Sequence, residues 1–219
     1  MSKQIGDSLL RDGFHLFRGL WSPTELRTAT RLIRAALVCG LHASGVRVFH
    51  PSDLDPVLRS MLTSGTMANT VTAALGPCEF LSMKPVVKDD GHAFATPWHQ
   101  DHLYWGGCTK WSLWMALEQV DPGNGCLRII RGSHLRELPH QARTNSDLGF
   151  DNRLEVDEKQ AEDVLLGPGD AILFHDLLLH ASHPCAAGRS RIAIIPTYRS
   201  LGAIDASTIW TDPRPLETL

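Results

Sequence analysis

The sequence predicts a mainly β protein, a sandwich or barrel preceded by a layer of helices, and three observations carry that expectation. Helical periodicity dominates before residue 78, and short apolar runs separated by Gly/Pro turns dominate after it. The 219 residues, 43% hydrophobic and 21% charged, suit one folded unit with an ordinary core rather than a disordered or fibrous chain. Nowhere do about 18 uncharged apolar residues run together, so a membrane span is not expected.

The first element is an extended piece from Gly13 to Leu20. Ser22-Pro23-Thr24-Glu25 then offers an N-cap serine, a proline at the first helical position and a glutamate placed to close a capping box. Leu26, Ala29, Leu32, Ile33, Ala36 and Leu37 recur on one helix face, and Gly40 supplies the stop. Shorter helices are expected near Leu54–Ser64 and Thr66–Leu75. Strands are expected at 78–87, 95–104, 110–120, 125–131, 162–166, 171–180 and 190–198, divided by turns such as Asp121-Pro122-Gly123-Asn124-Gly125 and Gly167-Pro168-Gly169-Asp170. Residues 136–161 read as a long polar loop, lid-like in length. The expectation is a single domain: a helical layer over 1–77, a β core over 78–200 and a surface extension over 201–219.

Net charge is −3 with no basic stripe, which argues against a partner that is nucleic acid. The N-terminal MSKQIGDSLLRDG lacks the apolar block of a signal peptide, and five scattered cysteines without a C-x-x-C read as reduced thiols of a cytoplasmic protein. Eight of the eleven histidines fall between His92 and His183, so chemistry is sought there.

Within Thr96-Pro97-Trp98-His99-Gln100-Asp101-His102, a strand would aim His99 and Asp101 at a common point, because residues i and i+2 share a face. Farther on, Gly169-Asp170-Ala171-Ile172-Leu173-Phe174 feeds a strand that delivers His180, and Arg191 opens the next apolar strand. A hairpin-type connection at Ala186-Ala187-Gly188 would lay these two strands side by side, with His180 and Arg191 in one cavity. Two histidines and a carboxylate on one flank of a metal is the arrangement of non-haem Fe(II) oxygenases. A nearby guanidinium gives a planar fork for a carboxylate.

The runs TPWHQD (96–101), LWMALEQV (113–120), NGCLRIIRGSH (124–134), GDAILF (169–174) and HAS (180–182), with Arg191, resemble the phytanoyl-CoA dioxygenase family of Fe(II)/2-oxoglutarate-dependent dioxygenases. The resemblance spans roughly residues 78–198. It implies a double-stranded β-helix (jelly roll, cupin-like) with helices packed outside, and Fe(II), 2-oxoglutarate and O2 as cofactors and cosubstrates. It places His99, Asp101 and His180 as iron ligands, Arg191 and Ser182 on the distal carboxylate of 2-oxoglutarate, Trp114 on the cosubstrate pocket and Lys84 beside it. The implied reaction is hydroxylation, desaturation or cyclisation at an unactivated C–H of a small organic molecule, with release of succinate and CO2. A zinc hydrolase using the same three side chains and a silent cupin-like binding module are the competing readings.

Neighbouring residues receive plainer readings. His102 is expected to face outward, Asp176 to be solvated, and His134 to serve a structural hydrogen bond. His175 has the wrong parity to join His180, and His183 belongs to a turn. Trp111 and Trp114 differ in parity, so at most one faces the cavity. Tyr104 and Trp105 either wall the substrate pocket or pack in the core, and Arg199 is a candidate for an acidic substrate. Arg128 and Arg131 read as surface charges, and Asn124-Gly125 as a turn without chemistry. Substrate contacts are expected from the 136–161 loop and the first 95 residues.

Overall fold

A computed structural model describes residues 2–38, 40, 46–139, 154 and 156–218, and its elements follow the predicted change of character near residue 78. The chain opens with α1 (Ser2–Asp12), β1 (Phe14–Phe17) and α2 (Pro23–Leu37). The expected capping box is closed at α2: Ser22 Oγ accepts from Glu25 N–H at 3.3 Å, and the Glu25 carboxylate accepts from Ser22 N–H at 2.8 Å. α3 (Pro56–Thr63) and α4 (Gly65–Leu75) complete the helical layer. α1 lies where the sequence reading placed no element. Its buried apolar face is only Ile5 and Leu9, too few to register as a periodicity.

The β core comprises β2 (Cys78–Lys88), β3 (Thr96–His99), the short helix α5 (His102–Trp105), β4 (Trp111–Ala116), β5 (Leu127–Ile130), β6 (Ala161–Val164), β7 (Ala171–His175), β8 (His180–Ser182), β9 (Arg191–Ser200) and β10 (Arg214–Pro215). They form two antiparallel sheets, ordered β1-β7-β4-β9-β2-β10 and β3-β8-β5-β6, the two walls of the expected jelly roll.

Both faces of the large sheet are buried, which is why its strands read as continuous apolar runs. Leu113, Met115, Leu173, Ile192 and Ile194 point outward and pack with Ala29, Ile33, Leu58, Leu62 and Met67 of the helical layer. The alternate residues Trp114, Ala116, Ile172, Phe174 and Ala193 point inward and meet Leu127 and Ile129 of the small sheet. This alternation gives the molecule two cores on either side of one sheet. The inner side is where polar groups are admitted.

Three expectations are corrected. The strand expected at 95–104 ends at His99, and the chain turns into α5. The strand expected at 171–180 is two strands in different sheets, because His175 and Asp176 take over the backbone. Leu177 N–H donates to His175 Nδ1 at 3.0 Å, Leu178 N–H to the His175 carbonyl at 2.8 Å, and Asp176 N–H to the Lys110 carbonyl at 3.0 Å. The triple leucine that follows suits a turn wall as well as a strand, so its hydrophobicity gave no warning. The segment after Ser200, expected as a surface extension, is latched to the body. β10 pairs with β2, and Leu216 N–H and Glu217 N–H donate to the carbonyls of Cys78 and Thr63. Most of the lid-like loop expected at 136–161 lies outside the described residues; its flanks, through Leu138, Leu154 and Val156, pack against Trp98, Leu179 and Ala181.

The latch is fastened by Asp205, whose side chain is 3% exposed. It meets Arg199 at 2.7 Å and Lys110 at 3.1 Å and accepts from Ser207 N–H at 3.0 Å. Burial opposes ionisation, but these donors outweigh it and hold the Asp205 carboxyl down at about 2. Asp205→Ala is therefore expected to lower stability by about 3 kcal/mol, because it leaves the fully buried Lys110 ammonium without its anion, while Arg199 keeps Glu79. A depressed carboxyl contributes its stability above its unfolded pKa of 3.8 and loses it as pH falls toward about 2. The gap between wild type and variant in urea unfolding should accordingly be full at pH 6 and shrink between pH 4 and 2.

Candidate active site

His99 and His180 stand opposite each other in the β3–β8 ladder, and their ring centroids are 4.1 Å apart. Each ring is fixed by the same local device. His99 Nδ1 lies 2.8 Å from the carbonyl of Pro97, and His180 Nδ1 lies 2.8 Å from the carbonyl of Leu178. A carbonyl only accepts, so both Nδ1 atoms carry the proton and both Nε2 lone pairs face inward.

Asp101 meets them from a different direction than the sequence implied. The residue is in the right-handed helical region (φ −62°, ψ −30°), leading into α5. The pair converges through a turn at the end of β3 rather than through strand alternation. Asp101 Oδ1 lies 3.6 Å from His99 Nε2 and 3.9 Å from His180 Nε2. Ligand atoms of the three residues all fall within 4.8 Å of one another. Ligands about 2.1 Å from one ion sit about 3 to 3.5 Å apart, so a modest inward movement closes the set.

The protonation states suit a divalent cation. Burial, followed by the neighbouring His99, pushes the His180 imidazole down to about 4, leaving it neutral. Burial opposes ionisation of Asp101, but His180, Lys84 and His99 outweigh it and hold its carboxyl well below the usual range. Two neutral imidazoles and one carboxylate are the donor set that holds Fe(II) in non-haem oxygenases, so the residues fit such an ion.

Gln100, fully buried between the two ligands, anchors the turn. Its amide donates to the carbonyls of Arg136 and Leu177 and accepts from Leu138 N–H, each bond between 2.7 and 2.8 Å. Asp176 is buried rather than solvated, correcting the sequence reading; its carboxylate accepts from Lys110 N–H and lies 3.0 Å from His102 Nδ1. His102 is turned onto that carboxylate instead of facing outward. Together these contacts lock α5 to the turn that precedes β8.

The cavity beside the three side chains is about 310 Å³ and lies between the two sheets, within the size range of small-molecule sites. Lys84, Trp114, Ser182 and Arg191, all expected near a cosubstrate, line it, and so do Tyr104 and Trp105. Lys84 Nζ sits 4.6 Å over the Trp105 ring and the Arg191 guanidinium 5.0 Å over the Trp114 ring. Trp111 instead packs against His175 on the helix side, as its parity required. His180 and Arg191 do share the cavity, but from facing sheets rather than adjacent strands, since β8 pairs with β3 and β5 while β9 pairs with β2 and β4.

Arg191 is 1% exposed. Its Nη atoms donate to the carbonyls of Val86 at 3.0 Å and Gly125 at 2.9 Å, while its buried Nε has no partner. Burial lowers its pKa to about 10, which leaves it charged. Among the described residues no carboxylate lies within ion-pair distance of it. Arg199, by contrast, is consumed by Glu79 at 2.6 Å and Asp205 at 2.7 Å, outside the cavity. His134 makes the expected structural contact, with Nε2 lying 3.2 Å from the Leu10 carbonyl, and His183 is held by Asp163 at 2.8 Å. Val46 and Phe94, within the first 95 residues from which substrate contacts were expected but not singled out there, and Thr96 of the first motif also line the cavity. They come from irregular segments and from the end of β3, where apolar type alone marks nothing.

Known proteins resemble this chain in sequence and in fold. A family model described as phytanoyl-CoA dioxygenase matches residues 9–193, so the relationship begins in α1, well before the first motif quoted above. The L-proline trans-4-hydroxylase of Streptomyces griseoviridis is 26% identical over 182 residues, 71% of this chain and 68% of that one. Phytanoyl-CoA dioxygenase 1 of Oryza sativa subsp. japonica is 30% identical over 149 residues, 65% of this chain, and the match spans about half (52%) of the rice protein. The solved structure of the epimerase SnoN in complex with Fe3+, alpha ketoglutarate and nogalamycin RO has the same fold, with a TM-score of 0.76 at 18% identity over 93% of this chain and 85% of that one. With most of its length matched by one family, the chain belongs to the phytanoyl-CoA dioxygenase family, a branch of the Fe(II)- and 2-oxoglutarate-dependent oxygenases.

Proposed function

We propose that this chain works as a single-domain oxygenase that oxidises an unactivated C–H bond of a small organic molecule, with 2-oxoglutarate converted to succinate and CO2. The observation that carries the reading is one cavity with three metal-fitting side chains on one flank and a buried guanidinium without an anion on the other. Bound Fe(II), with 2-oxoglutarate and O2, supplies the oxidising power for taking a hydrogen atom from carbon.

The protein's own residues do the rest. His99 and His180 present neutral Nε2 donors because the Pro97 and Leu178 carbonyls hold their Nδ1 protons. Asp101 supplies the anionic donor, steadied by Ser112 Oγ at 3.4 Å. All three lie on one flank, so the opposite flank opens to the cavity. Arg191 and Ser182 bind the distal carboxylate of 2-oxoglutarate, and the Trp114 ring, 5.0 Å from the guanidinium, gives it a cation–π contact. Lys84 adds positive charge close to Asp101 and the keto-acid end. Tyr104, Trp105 and Phe94 line the apolar remainder of the cavity, where they exclude water and bind a substrate of modest size.

Free thiols at Cys78, Cys108, Cys126 and Cys185 support a reducing, cytoplasmic setting. No helix among the described residues is long and apolar enough to cross a membrane.

Two measurements test the assignment. His99→Ala and Asp101→Ala are each expected to weaken Ni(II) binding by at least about 100-fold in calorimetry, because each removes a direct ligand. His175→Ala and His183→Ala should bind as wild type does; undiminished binding in Asp101→Ala would remove that residue from the set. With Fe(II), ascorbate and O2, wild type should convert 2-oxoglutarate to succinate even without a prime substrate. Arg191→Gln should raise the KM for 2-oxoglutarate about 100-fold, the loss expected for a buried charge-assisted pair. Absence of succinate under these conditions would overturn the oxygenase reading.

A further inference from the structure

Behind the cavity wall lies a second buried cation that the site described so far does not use. Lys88 is fully buried and occupies the same inner face of β2 as Lys84 and Val86. It stands directly opposite Arg191 in the β2–β9 ladder. Like charges facing each other across a ladder are destabilising, and burial raises that cost. No carboxylate lies within ion-pair distance of either residue among the described residues; the charge-bearing groups nearest Lys88 besides Arg191 are the thiols of Cys126 and Cys185. Burial, then Arg191, pulls the Lys88 ammonium down to about 7. Two paired cations without an anion make sense at a place where an anion is brought by a ligand.

The hydrogen bonds of Lys88 say how it acts. Its three N–H groups donate to the Phe94 carbonyl at 2.7 Å, to Ser182 Oγ at 2.9 Å and to the His183 carbonyl. Ser182 Oγ also accepts from Thr96 N–H at 3.2 Å. Both lone pairs of that hydroxyl are thereby filled by donors, so its own hydrogen turns toward the cavity that Ser182 lines. Gly125 completes the arrangement. Its carbonyl accepts from Arg191, and at φ +87° a Cβ there would fall 2.4 Å from Lys88 Cδ, so the lysine stem passes only because residue 125 is glycine. The Asn124-Gly125 turn thus carries a role in the site that its turn chemistry did not announce.

We infer that Lys88 is a positioning residue for a dicarboxylate cosubstrate: it forces the Ser182 hydroxyl to donate into the cavity and adds a second positive charge behind Arg191. The inference rests on reading this end of the cavity as the seat of the distal carboxylate of 2-oxoglutarate. Lys88 touches no ligand itself; it works through Ser182 and through its charge.

The test is calorimetric titration of the full-length, Ni(II)-loaded protein with 2-oxoglutarate and, separately, with pyruvate, which keeps the keto-acid end and lacks the distal carboxylate. Lys88→Met is expected to weaken 2-oxoglutarate binding at least about 10-fold and to change pyruvate binding less than about 2-fold. Lys88→Met and Ser182→Ala should be strongly non-additive, the double variant binding 2-oxoglutarate about as weakly as the weaker single one. Lys88→Gln, which keeps polar contacts to the two carbonyls, gives the same comparison if the methionine variant does not fold. Unchanged 2-oxoglutarate affinity in a folded variant overturns the inference, as does an equal loss for both ligands, which would mark Lys88 as a general structural support. Failure of the wild-type protein to bind 2-oxoglutarate overturns the cosubstrate reading and this inference together.

Discussion

The site depends on two hydrogen bonds that are easy to overlook, one from each of His99 and His180 to the carbonyl two residues before it. A free imidazole divides its proton between two nitrogens and turns about two side-chain bonds. Tying Nδ1–H to a neighbouring carbonyl settles both questions at once and leaves Nε2 as the lone-pair donor. Because the two rings face each other across β3 and β8, settling each one also settles their mutual geometry. The turn that brings Asp101 to them is fixed in turn by Gln100, which bonds the segments on both sides of it. Preorganisation here belongs to the backbone, and the side chains inherit it.

What was legible in the sequence follows the same division between local and non-local causes. The helix from Pro23 to Leu37 was legible because its cap, its periodicity and its stop are all encoded within a few residues of where they act. The identity of His99, Asp101, His180 and Arg191 was legible through the motifs around them. Their geometry was not. The i, i+2 argument expected His99 and Asp101 to converge through strand alternation, but they converge through a turn, since the strand ends between them. Likewise His180 and Arg191 share a cavity across the sandwich, a relation that no hairpin rule encodes. The burial of Asp176 and the pairing of residues 214–217 with the body were hidden because each depends on partners about 65 or more positions away, such as Lys110 and Cys78.

Charge is distributed in the core with a clear polarity. Asp101 is the one acidic residue lining the cavity among the described residues, and it faces the histidines. Lys84 and Arg191 line the same space, and Lys88 stands directly behind Ser182. A purely structural core has no reason to collect three basic side chains on the inner face of one sheet, where Lys84 has only Asp101 nearby and Lys88 and Arg191 have no carboxylate within ion-pair distance among the described residues. In the function proposed above, a divalent ion held by Asp101 and a dicarboxylate reaching Arg191 would offset this imbalance.

The aromatic end of the cavity obeys a different constraint. Trp105 belongs to α5, a helix of four residues that has no stability of its own. It is held from below by His102 N–H on the Asp176 carbonyl and from outside by Trp210, whose ring packs against it at 5.9 Å. Trp210 sits in the segment that Asp205 fastens to Arg199 and Lys110 and that β10 pins to β2. The C-terminal segment thus braces the Trp105 wall of the cavity, and Lys84, 4.6 Å over the same ring, is electrostatically coupled to Asp101. The tail therefore reaches this end of the cavity by two routes, the packing of Trp210 on Trp105 and the pairing of Asp205 with Lys110, whose N–H holds the Asp176 carboxylate beside α5.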